Sequence, residues 1–186
     1  MTGEDATAIV IDSLDSLAIP YMVVGSLSSN FYGISRATQD ADFVIELGDR
    51  SVHEIARLLG PDFVLDPQLR FEGITATARN VIDIRDTQYK IELFRLGKAP
   101  FDQERFRRRV RITLEGRETW LPTVEDVVVM KLLWSRDGDR LKDKDDVRNI
   151  LGVQGDAIDW DYVHRWCDEH GTRDLLDEIR ASIPPI

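Results

Sequence analysis

Apolar positions recur along the chain in two periods. Val10, Ile11, Leu14, Leu17 and Ala18 follow helical spacing and predict a first helix over Glu4–Leu17, ended by Pro20. Tyr21–Val24 is a short apolar strand, turned by Gly25-Ser26 into a short helix over Leu27–Tyr32. A second strand starts at Asp40 and runs through Phe43 to Leu47 after the loop Gly33–Gln39. Ser51 and Glu54 form a capping-box pattern that opens a helix through Leu59, and Gly60-Pro61 breaks it. Phe63–Leu65 reads as a strand, whereas Asp66–Thr77 carries no pattern of either period. Asn80–Ile84 and Tyr89–Leu96 read as a hairpin, and Val110–Leu114 with Arg117–Leu121 as a second one turning at Glu115-Gly116. Between them, Pro100–Arg107 predicts one or two helical turns capped by Asp102.

From Pro122 onward the pattern is helical. Thr123 caps a helix through Trp134, and a polar loop covers Arg136–Arg140. The next helix runs from Lys142 to Leu151, with a break at Gly152–Asp156. Asp159 caps a helix over Trp160–His170 that stops at Gly171, and a last helix covers Thr172–Ile183 before Pro184-Pro185. The expectation is an α+β protein: a small mixed β-sheet with helices packed on it over residues 1–122, and a helical C-terminal part over 123–186 packed on that core as one compact unit.

Composition narrows the function. With 42% hydrophobic and 31% charged residues, the 186-residue chain can build a core. No apolar run approaches the ~20 residues of a membrane span, so no membrane partner is expected. Cys167 is the only cysteine, which excludes an intrachain disulfide or thiolate cluster and makes a reducing cytoplasm the expected location. The net charge of -10 argues against broad nucleic-acid coating. Arg105, Arg107, Arg108, Arg109 and Arg111 nevertheless form a local basic edge suited to a phosphate. A solvated strand face explains these arginines equally well.

The candidate chemistry lies at two stretches. Asp40 and Asp42, two apart on a strand, point to one face, where their charges repel unless a cation lies between them. A hard divalent ion with oxygen ligands fits, Mg²⁺ first. Gly25 permits close backbone approach to a ligand, and the helix start behind it offers unpaired N–H groups and the Ser26 hydroxyl. Lys90 and Glu92 share one face of a later strand. The plain alternatives are a tight turn, surface acids and a surface Lys/Glu pair, with Lys131 snorkelling out of its apolar helix.

Taken in order, Gly25-Ser26, thirteen intervening residues and Asp40-Ala41-Asp42 resemble the signature of the polymerase-beta-like nucleotidyltransferase superfamily. Arg36-x-Thr38-x-Asp40-x-Asp42 resembles the version in bacterial minimal nucleotidyltransferases and abortive-infection-type toxins. Lys90-Ile91-Glu92 resembles their Lys-x-Asp element, with Glu for Asp. Lys131, Arg140 and the Lys142–Asp146 cluster resemble their helical part.

The resemblance implies the nucleotidyltransferase fold and transfer of a nucleoside monophosphate from ATP or GTP to a hydroxyl of RNA such as tRNA, of a protein or of a small molecule. It implies Mg²⁺, or Mn²⁺ in its place, held by Asp40, Asp42 and Glu92. Glu92 would also take the acceptor's proton, and Lys90 would pair with phosphate. Nucleotide would lie over Gly25 and Ser26, with Arg36 and Lys131 on phosphate and Thr38 shaping the loop. A toxin with an antitoxin-like protein partner is one role this group fills. The alternatives are a degenerate nucleotide binder or an interaction module of the same fold, because Glu92 is one methylene longer than the usual Asp.

Overall fold

A computed structural model describes residues 1–114, 116–136 and 140–184, apart from the side chain of Asp156. The chain falls into two compact units. The first comprises Met1–Leu27 and Ala37–Leu121, the second Ser28–Arg36 and Pro122 to the C-terminus.

The first unit is built on a mixed sheet. Its strands are β1 (Tyr21–Val24), β2 (Asp40–Ile45), β3 (Phe63–Leu65), β4 (Arg70–Glu72), β5 (Thr77–Ile84) and β6 (Lys90–Arg95). The order is β1-β2-β6-β5-β3, with β4 also pairing β5. Only β2 and β6 run parallel; the other pairs are antiparallel. Helices α1 (Gly3–Ser16) and α3 (Val52–Leu59) pack against each other, α1 also touching β2 and α3 touching β3. Alternation decides which residues line the core. Ala41, Phe43 and Ile45 of β2, Ile91 and Leu93 of β6, and Ile82 of β5 are fully buried. Each large apolar side chain among them contributes about 1.5–3 kcal/mol of burial. The intervening positions Asp40, Asp42, Lys90 and Glu92 therefore share the opposite face. A hairpin, β7 (Val110–Leu114) and β8 (Arg117–Leu121), completes the unit, with β8 beside β1 and the Thr119 hydroxyl donating to Tyr21 Oη at 3.3 Å.

The second unit is helical. It holds most of α2 (Gly25–Tyr32), with α5 (Val124–Arg136), α6 (Leu141–Gln154), α7 (Trp160–His170) and α8 (Arg173–Ala181). Buried polar groups tie these helices together. Asp126, fully buried, accepts from Tyr162 Oη at 2.6 Å and from Thr123 Oγ1 at 2.9 Å. Gln154 Nε2 donates to the Tyr32 carbonyl at 2.7 Å, and Tyr32 Oη donates to the Pro122 carbonyl at 2.8 Å.

Several elements differ from the sequence reading. The patternless stretch after Asp66 contains β4, an edge strand recruited by the antiparallel partner β5, which itself starts at Thr77. Pro100 occupies the first helical position of α4 (Pro100–Arg108) behind Ala99 as N-cap, so Asp102 is no cap. Asp102 is buried and accepts from Arg105 Nε at 3.0 Å. Helix α6 passes through Gly152 because one glycine weakens a packed helix without breaking it. The basic edge is partly absorbed by local contacts, while Arg107 and Arg111 stay exposed. Arg105 is buried on Asp102, Arg109 stacks on Phe106 and Trp120, and Arg111 pairs with Glu118. The expected turn residue Glu115, the loop residues Asp137–Asp139 and the terminal Pro185 lie outside the described residues. Among the described residues no helix is long and apolar enough to cross a membrane.

Candidate active site

Strand register builds the acidic face. Asp40 pairs with Lys90 and Asp42 with Glu92 across the parallel β2–β6 ladder. Paired positions on neighbouring strands lie about 4.8 Å apart and point the same way. Two strand segments far apart in sequence thus bring Asp40, Asp42, Lys90 and Glu92 to one patch. Thr38 Oγ1 donates to Asp40 Oδ1 at 2.5 Å, fixing the entry to β2 from the loop.

Gly25 closes the patch on the β1 side. Val24 pairs with Asp42, and the chain then enters α2 directly through Gly25 at φ +63°. A Cβ at Gly25 would lie 2.0 Å from Asp42 Oδ2 and 2.9 Å from its Cγ. The backbone therefore runs against a carboxylate at a distance only glycine permits. The start of α2, with the buried Ser26, is placed beside that carboxylate. Its N–H groups form a site suited to anions.

Ion pairs occupy the rest of the face. Glu92 Oε2 accepts from Arg79 Nη1 of β5 at 2.7 Å. Lys90 Nζ lies 3.2 Å from Asp83 Oδ1, both side chains about half exposed. Among the described residues no three His, Cys, Asp or Glu side chains lie close enough together to hold a metal ion. The donors are hard oxygens on one face of the sheet, and no side chain at Gly25 crowds Asp42. In kind they suit Mg²⁺, but as placed the three do not converge on one ion, because the Glu92 carboxylate is turned to Arg79.

Arg36 and Lys131 lie in the second unit, on a buried acidic cluster. Arg36 binds Asp146 in a fork, Nε to Oδ1 at 2.8 Å and Nη2 to Oδ2 at 2.9 Å. Lys131 Nζ donates to Asp143 Oδ1 at 2.7 Å and to Asp146 Oδ2 at 2.8 Å. Burial alone would push the Asp146 carboxyl up. The hydrogen bonds from Arg36 and Lys131 outweigh it and hold the group below its usual value. Lys131 therefore does not snorkel; its charge is buried and paired.

Arg79 escaped the sequence reading, which took Asp143 and Asp146 only as members of the Lys142–Asp146 cluster and not as partners of Arg36 and Lys131. For the acidic cluster the available signal was the charge of Lys131 inside an apolar helix, which demands a counter-charge nearby; for Arg79 it was a cation on the sheet face that carries the acids. Arg79 stands two before Val81, and Lys131 stands between Met130 and Leu132.

These features define an α+β protein with the nucleotidyltransferase fold. The antibiotic-resistance factor ANT(2'')-Ia superimposes with a TM-score of 0.64 at 13% identity, covering 97% of this chain and 98% of that one. The lincosamide adenylyltransferase LnuA, solved with lincomycin bound, gives 0.56 at 10% identity over 81% of this chain and 97% of its own. JHP933 from Helicobacter pylori gives 0.54 at 16% identity over 95% and 76%. No family model and no curated protein sequence matches the chain.

Proposed function

We propose that the protein transfers a nucleoside monophosphate from a nucleoside triphosphate, ATP or GTP, to an acceptor hydroxyl. The observation that carries this reading is the Gly25 cradle against Asp42, in register with Glu92. Fold alone would not suffice, because one fold hosts many functions.

Asp40, Asp42 and Glu92 would hold Mg²⁺, or Mn²⁺ in its place; bound there, the ion neutralises triphosphate charge and stabilises the leaving pyrophosphate. The chain's own groups do the rest. The α2 N-terminus, with Gly25 and Ser26, cradles phosphate oxygens through backbone N–H and hydroxyl donors. Thr38 holds Asp40 in place by its 2.5 Å hydrogen bond. Glu92 accepts the proton of the attacking hydroxyl. The acceptor oxygen forms a bond to the α-phosphorus while the bond from that phosphorus to pyrophosphate breaks. Lys90, beside Asp40 in the ladder, reaches phosphate on release from its exposed pair with Asp83. Arg36 and Lys131 serve phosphate only if they leave Asp146.

The end-to-end likeness to ANT(2'')-Ia and the acidic face favour a small cationic acceptor over RNA. A toxin role in the cytoplasm, with an antitoxin-like partner, is the second biological setting of the same reaction. The test is incubation with each labelled triphosphate, Mg²⁺ and one acceptor class at a time: aminoglycosides, lincosamides, total RNA, or protein. Transfer lost in Asp40→Asn and Asp42→Asn supports the reading. Nucleotide binding with no transfer to any acceptor overturns it in favour of a degenerate binder. Absence of both, with a protein co-purifying, points to an interaction module.

A further inference from the structure

We propose that Arg79 is a positioning residue that competes with the divalent ion for Glu92, so that the third carboxylate joins the site only when the metal displaces the guanidinium. This rests on the metal reading above and goes beyond it.

Arg79 and Glu92 sit on adjacent antiparallel strands. Val81 pairs with Glu92 and Arg79 with Phe94, so Arg79 lies diagonally from Glu92 on the same face. The guanidinium stacks over Phe94, 5.5 Å from the ring centroid, and donates to Glu92 Oε2 at 2.7 Å. Its Nε is buried with no hydrogen-bond partner, so the fork is only partly satisfied where it stands. A second acceptor waits across the neighbouring strand: Glu72 Oε2 of β4 is 3.9 Å from Arg79 Nη1. Arg79 thus has two carboxylates in reach, one belonging to the catalytic face and one outside it. Metal binding at Glu92 would leave the guanidinium to Glu72.

No other cation contacts Glu92 at salt-bridge distance among the described residues, since Lys90 is turned to Asp83. The length of Glu92 acquires a reason here. Its extra methylene carries the carboxylate toward β5 and the guanidinium, where the shorter Asp side chain ends nearer its own strand.

The test is direct Mn²⁺ binding by the whole protein without nucleotide, read by electron paramagnetic resonance of the free ion. Arg79→Gln is expected to bind Mn²⁺ about tenfold more tightly than wild type, the scale of one partly buried ion pair released. A simple change in local charge would act whatever residue stood at 92. The discriminating measurement is therefore the double-variant cycle. In a Glu92→Gln background, Arg79→Gln should leave Mn²⁺ affinity unchanged within about twofold. Should Arg79→Gln fail to fold, Arg79→Lys, which keeps the charge but loses the fork, is expected to tighten binding about threefold.

Equal affinity of wild type and Arg79→Gln overturns the competition while leaving the metal site intact. The same tightening in the Glu92→Gln background also overturns it. Absence of Mn²⁺ binding in every variant, Asp42→Asn included, overturns the metal reading and the competition together.

Discussion

Replacing Gly25 by alanine separates two costs that the structure assigns to that position. The first is conformational: at φ +63° a side chain with a Cβ is strained by about 1–2 kcal/mol. The second is steric: the new Cβ would fall 2.0 Å from Asp42 Oδ2, where real Cβ contacts stay beyond 3.0 Å. The carboxylate must retreat by about 1 Å or the start of α2 must shift, at about 1–3 kcal/mol for overpacking. Gly48 supplies the control. It has φ +54° with nothing within 4 Å of the added carbon, so Gly48→Ala carries only the first cost. Differential scanning calorimetry should lower Tm by roughly 2–6 °C for Gly48→Ala and by roughly twice as much for Gly25→Ala. Nucleotide transfer should be normal in Gly48→Ala and reduced on the order of 100-fold in Gly25→Ala, since a 1 Å displacement of a reacting group costs about that much. If Gly25→Ala transfers nucleotide within twofold of Gly48→Ala, the close approach to Asp42 has no catalytic meaning.

Asp146→Asn leaves Arg36 and Lys131 sharing a neutral acceptor and should destabilise by about 3 kcal/mol in urea unfolding, toward the low end because Lys131 keeps Asp143. Because the Asp146 carboxyl is held below its usual value, its stabilising contribution is present above about pH 4 and disappears as pH falls further. The Asn variant should lose less stability than wild type on acidification through that range. Burial pushes the phenols of Tyr21 and Tyr32 up to about 12, so their contribution is intact below about pH 10 and declines from there towards pH 12. A phenolate absorbance titration should find these two groups silent at pH 11, and Tyr21→Phe should flatten the alkaline loss. Cys167 is fully buried and its thiol is raised by desolvation, so a disulfide-exchange reagent should modify it only at the rate of unfolding.

What the sequence determined are the features that local chemistry can specify. Alternation over Asp40–Ile45 and Lys90–Arg95 marked both strands and assigned the acids to one face, because side-chain direction has a period of two. The Gly-Ser turn was legible because glycine suits a tight strand-to-helix turn, and the order of turn and acids carried the family resemblance. Tertiary structure alone decided the pairings. The parallel register that brings Asp42 opposite Glu92 depends on how two segments half a hundred residues apart align, which no local pattern encodes. Edge strand β4 has no pattern of its own and exists through β5. The partners of Arg79, Arg36 and Lys131 were equally invisible. A buried charge announces that it needs a counter-charge, but which carboxylate answers is fixed only when strands and helices pack.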